Sequence, residues 1–214
     1  MSRKFSSVGL IDTRGAVLGA ILLFASVAAP ATVINFEGLS DSDMIGRIGA
    51  AEFTDTYVAS AGSSLNDLEF PPNSGINVVY NPDDMINVRF DDLMEKVGAF
   101  VTYTSPVFLQ AFDDNGVLVT TVVSLYFANT ALTGDPGAAP NEYLEVSALS
   151  GIRSVLFSTG LLGPTFVIDD LTFEALAGPG PGPGPGLPEP PTALLILLGL
   201  VVARDRFMKR GGPK

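Results

Sequence analysis

Between Thr32 and Leu176 no stretch keeps a 3.6-residue apolar period long enough for a major helix. Short runs rich in β-branched and aromatic residues alternate instead with breaks of Gly, Pro, Asn and Asp. Such runs fit a pleated surface and such breaks make turns, so this region is confined to strands and loops. The spacing predicts strands over Val33–Phe36, Ile76–Tyr80, Ile86–Phe90, Val97–Thr104, Val107–Phe112, Val117–Phe127, Tyr143–Val146, Ile152–Ser158 and Thr165–Phe173. Asn81-Pro82-Asp83-Asp84 and Asp113-Asp114-Asn115-Gly116 read as turns, and Asp91–Lys96 as a single helical turn or loop.

The expected fold class is all-β, a two-sheet antiparallel β-sandwich. Alternation sets Val97, Ala99, Val101 and Tyr103 on one side of their strand. It does the same for Val117, Val119, Val123, Leu125 and Phe127. Phe100, Phe108, Phe112, Leu156 and Phe166 are expected to fill the facing sheet.

Composition excludes several chemistries. The chain has no cysteine and no histidine, so it has no disulfide, no Ser-His-Asp or Cys-His catalysis, and no zinc site built on His. Residues 32–176 hold twenty carboxylates against Arg47, Arg89, Lys96 and Arg153, a formal charge of 4 − 20 = −16. No nucleic-acid partner is expected for such a domain, because it repels phosphate.

The two ends read as handling signals. Residues 1–31 form a signal peptide, with Arg3, Lys4 and Arg14 before the apolar run Ala16–Ala28. Small residues then place the signal peptidase cleavage region at Ala29-Pro30-Ala31. Residues 178–187 form a Gly-Pro linker, and residues 188–214 a tail. The linker period is two, which rules out collagen and leaves an extended spacer of up to about 28 Å. The tail carries Pro188-Glu189-Pro190, an apolar run Ala193–Ala203, and a basic stop of Arg204, Arg206, Lys209 and Arg210. Eleven helical residues span roughly 17 Å against about 30 Å of hydrocarbon, so the membrane helix is short and its anchoring transient. Cationic residues stay cytoplasmic, which leaves the domain outside.

This order of parts resembles the PEP-CTERM sorting signal of Gram-negative bacteria. The resemblance implies processing by an exosortase and export to the cell surface or extracellular matrix. It also implies association with exopolysaccharide and biofilm.

Within the β region, Ile168 and Leu171 are three apart, so a bulge at Asp169-Asp170 is expected to keep both facing inward. The first and last strands together resemble jelly-roll domains of PEP-CTERM proteins and, more distantly, carbohydrate-binding modules. That resemblance implies a structural calcium with Glu37 and Asp169 as its metal ligands, completed by backbone carbonyls. A calcium loop counted from Asp41 places Gly46 at position six and Glu52 at twelve, but Ile45 at five supplies no oxygen. The acidic pairs Asp83-Asp84, Asp91-Asp92 and Asp113-Asp114 invite a glycoside hydrolase reading, yet strand neighbours point to opposite faces. Tyr57, Tyr80, Tyr103, Tyr126 and Tyr143 are candidate sugar-stacking rings. The expected function is an exported non-enzymatic surface or matrix protein. The alternatives are a carbohydrate-binding module with a structural calcium, and a hydrolase.

Overall fold

The computed structural model describes residues 30–160 and 165–177. The tail, the Gly-Pro linker and the signal segment up to residue 29 lie outside the described residues, while Ala31 is exposed just before the first strand. Nine strands form one antiparallel network, and no helix occurs among the described residues. In chain order they are β1 (Thr32–Ile34), β2 (Met44–Ile48), β3 (Ala51–Ser60), β4 (Asn77–Tyr80), β5 (Met85–Tyr103), β6 (Phe108–Phe112), β7 (Leu118–Val123), β8 (Glu142–Ser158) and β9 (Phe166–Ala175).

The long strands β5 and β8 organise the rest. The first part of β5 pairs with β3 and with the end of β8 (Val88↔Val155), which in turn carries β6 and then β7. The second part of β5 pairs with β9 and with the start of β8 (Val101↔Ile168, Val97↔Val146). Ile86, Val88, Val155 and Phe157 from the first part join Val97, Val101, Ile168 and Leu171 from the second in one cluster, all fully buried. A flat sheet cannot hide residues from both parts together, so the network folds over on itself around this core.

Folding over requires strands to change which residues face inward. In β5 the inward set shifts from Ile86, Val88 and Phe90 to Val97, Ala99, Val101 and Tyr103, with register breaks between Arg89 and Lys96. In β8 it shifts from Leu144 and Val146 to Val155 and Phe157, past Gly151 at φ 91°. In β3 the shift occurs at Asp55 (φ 46°), between Phe53 and Val58. In β9 it occurs at Asp170 (φ 48°), where Gly98↔Thr172 is followed by Phe100↔Asp169. The last of these is the bulge expected from the spacing of Ile168 and Leu171.

Other expectations are corrected. Asp91–Lys96 is neither a helical turn nor a loop but the irregular middle of β5, and β8 likewise joins two expected strands. The strands β2 and β3 were not expected; Arg47, Glu52 and Asp55 interrupt their apolar pattern. Val97, Ala99, Val101 and Tyr103 are buried as expected. Val117, Val119, Val123, Leu125 and Phe127 are instead exposed, because β7 lies at the end of the network. Phe108 is also exposed, while Phe100, Phe112 and Leu156 are half-buried on outward positions, and only Phe166 of that group enters the core.

At the β8 corner, a Cβ on Gly151 would sit 2.9–3.2 Å from the Leu93 side chain, in a backbone conformation that L residues avoid. Gly151→Ala is expected to cost about 1–3 kcal/mol in chemical denaturation; an unchanged midpoint would show that the corner does not depend on this residue.

Candidate functional site

The loop between β3 and β4 lies over the outward face of the sheet, and three carboxylates hold it. Glu37 follows β1 and accepts from the backbone N–H of Ile76 (3.0 Å) and of Asn77 (2.9 Å). Asp169, on β9, accepts from the N–H of Ser74 (2.8 Å) and of Asp170 (2.7 Å). Asp170 accepts from the Asn73 side-chain amide (2.7 Å) and the Ser74 hydroxyl (2.8 Å). Gly75, at φ 53°, is the only residue type that suits its place: a Cβ there would lie 2.1–2.4 Å from the Glu37 carboxylate. Asn77 completes the clamp, donating to the carbonyls of Phe36 (3.0 Å) and Leu39 (2.9 Å) and accepting from Ser60.

The two residues proposed as calcium ligands are thus brought to one short segment, residues 73–77, but their oxygens face N–H groups. No group of three or more acidic side chains suited to a metal ion occurs among the described residues. An ion held by Glu37 and Asp169 would need backbone carbonyls for most of its six to eight oxygens. The alternative loop counted from Asp41 is used otherwise: Asp41 accepts from Ser60 N–H (2.9 Å) and from the hydroxyls of Ser63 and Ser64. Those hydroxyl contacts hold its carboxyl below the usual range.

Beside the clamp is an aromatic platform. Phe100 and Tyr143 are register partners on β5 and β8, on the outward face, with ring centroids 5.0 Å apart and planes tilted by 53°. Tyr143 is 40% exposed. Its ring lies across Gly98, where a Cβ would come within 2.5 Å of the phenol oxygen. Glu145 and Thr172 both pair with Gly98, and Lys96 meets Glu174 at 3.4 Å one step further on. Asp169 is the β9 partner of Phe100, so clamp and platform share a cross-strand row. Partial burial, then the charge of Glu145, pushes the Tyr143 phenol up.

On the other side of the loop is a recess of about 360 Å³, lined by Phe70, Tyr80, Leu65 and Val167 with Ser64 and Asn66 as polar groups. Tyr57 faces Tyr80 across β3 and β4 at 6.1 Å. Tyr103 is buried instead; its hydroxyl donates to Glu142, and burial pushes it up to about 12. Tyr126 is half-buried, its N–H donating to the Tyr103 hydroxyl.

At least one carboxylate of each acidic pair has a structural partner. Asp84 is buried and accepts from Thr165 N–H (2.8 Å) and from the hydroxyls of Thr159 and Thr165. Asp91 takes both its bonds from Arg47 (2.7 and 2.8 Å), Asp113 closes its turn, and Asp114 meets Arg153 at 2.6 Å.

The expected sites omitted Phe100, Gly98 and Asp170. Phe100 was legible as a platform residue, since it is out of phase with Val97, Ala99, Val101 and Tyr103. Gly98 gives no such signal, because only the ring crossing from β8 reveals its use.

No family model and no curated protein sequence matches the chain. Solved structures do. The cleaved adhesin domain of Lys-gingipain matches at 14% identity and a TM-score of 0.44, over 67% of this chain and 99% of that one. A family 29 carbohydrate-binding module complexed with mannohexaose matches at 11% and 0.38, over 69% and 93%. A family 61 module in complex with β-1,4-galactotriose matches at 14% and 0.38, over 65% and 94%.

Asp169 is 1% exposed, and burial raises its carboxyl from 3.8 to about 6. Between those values the folded chain holds a proton that the unfolded chain releases, so this group makes stability fall as pH rises. In chelator, the wild type is expected to lose about 2–3 kcal/mol, relative to Asp169→Asn, between pH 4 and pH 6.5. Parallel stability curves for the two proteins would refute this. Calcium bound through Glu37 and Asp169 would hold the carboxylate ionised and remove the slope.

Proposed function

We propose that the β domain is a non-enzymatic, jelly-roll-like sandwich that binds polysaccharide on its outward sheet face. The observation carrying this reading is the Phe100–Tyr143 pair, with Tyr143 exposed over a glycine floor, Phe100 half-buried beside it, and Glu145, Thr172, Lys96 and Glu174 at the edge. A sugar ring has apolar C–H faces and a hydroxyl rim, so it needs an aromatic surface with polar groups at its border. The floor matters because a side chain at position 98 would lift Tyr143 out of the sheet plane. In each acidic pair weighed for hydrolysis at least one carboxylate has a partner that holds it in a turn, a corner or an ion pair, which favours binding over catalysis.

The proposal includes handling. Signal peptidase removes residues 1–31, and an exosortase processes the tail near Pro188-Glu189-Pro190, leaving the domain on the Gly-Pro spacer at the cell surface or in the matrix. What supports it is the order of motif, apolar run and basic stop in the sequence.

Two measurements test these parts separately. On a glycan array, wild type is expected to bind, and Tyr143→Ala to weaken affinity by about 10-fold or more with unchanged circular dichroism. Equal affinity for the two would sink the platform reading. Mass spectrometry of the protein from cells with and without the exosortase is expected to show a shortened C-terminus only in the former. An intact Lys214 terminus in both would remove the sorting reading.

A further inference from the structure

β7 is an edge strand with an unusual surface. It pairs with β6 on one side, and no strand pairs with its other side among the described residues. Its residues Leu118, Val119 and Val123 are 49%, 37% and 49% exposed, and Phe108 beside Val123 is 42% exposed. From Val117 to Gly134 the sequence has no charged residue and no proline. Edge strands are ordinarily blunted by charge, proline, bulges or shortness, because their free N–H and C=O groups accept another strand. The other edges here follow that rule: β2 carries Arg47, the start of β8 carries Glu142 and Glu145, and β1 has three residues. β7 has one irregularity, at Val119, where Ala111↔Thr120 is followed by Phe112↔Leu118; from Thr120 to Val123 its pairing is regular.

We infer that β7 pairs antiparallel with β7 of a second copy of this chain, making a two-fold dimer through a continuous sheet. Two observations select a second copy. The domain carries −16, so copies repel wherever their acidic surfaces meet, and this uncharged stretch is where they meet without that cost. The strand is also compatible with itself. In a two-fold antiparallel pair, opposed residues share a sheet face, so the axis passes through one residue. About Thr121, within the regular segment Thr120–Val123, Thr121 opposes its counterpart and Thr120 opposes Val122. β-Branched residues then meet β-branched residues on both faces, the pairing a sheet favours. The edge is consumed in the pairing, so assembly closes at two copies through this surface.

Sedimentation of the full chain over a concentration series tests this. Wild type is expected to pass from monomer to dimer, and Thr121→Lys and Val123→Lys to lose the dimer while keeping their circular dichroism and melting temperature. Since the chain has no cysteine, oxidation of Thr121→Cys is expected to cross-link two copies, whereas Leu149→Cys, 87% exposed and far from β7 in sequence, is not. A wild type that stays monomeric, lysine variants that keep the wild-type dimer, or equal cross-linking at 121 and 149 would each overturn the inference.

Discussion

A strand alternates its side chains with a strict period of two, so it cannot stay packed on one core as the sheet folds over unless the alternation is broken. Four strands break it, at Asp55, across Asp91–Lys96, around Gly151 and at Asp170. Each break sits in a charged or glycine-bearing segment, where a residue is turned away from the ladder without burying an unpaired polar side chain. Three of the residues at these breaks, Asp55, Gly151 and Asp170, have positive φ, a conformation open to glycine and better tolerated by aspartate than by most other types. The core of the domain, and the position of everything on its outward face, follow from these four interruptions.

The same breaks place the polar framework. The interruption in β9 turns Asp169 and Asp170 outward together, where the loop before β4 supplies their donors. Among the described residues, no buried side-chain nitrogen or oxygen lacks a hydrogen-bond partner. With no disulfide available, loops are held by such contacts: Asp41 on the serines of residues 60–64, Glu69 on the N–H groups of Leu132 and Thr133, and Asn129 on the strand at Tyr103 and Val101. Much of the domain's acidity is therefore engaged in holding loops rather than spread as a simple solvated surface.

Outward residues divide into two kinds of surface. Around Phe100 and Tyr143, aromatic rings alternate with charged and hydroxyl groups, which suits a ligand that is itself part apolar and part polar. Around β7 the surface is uncharged along its length and rich in β-branched residues, which suits another strand. The first surface lies on the start of β8, and the second on β7, which β6 joins to the end of β8.

The sequence by itself determined the class of structure and much of its content. Absence of a helical period and frequent turns confined residues 32–177 to strands, and the three-residue spacing of Ile168 and Leu171 announced a bulge. The missing His and Cys removed whole chemistries. Only the tertiary structure decided which apolar residues are core. Val119 and Val97 look alike along the chain, but a strand's neighbours, not its residues, determine whether a face is covered. For the same reason, the partners of Asp169, the floor under Tyr143 and the bare edge of β7 appear only once strands distant in sequence lie side by side.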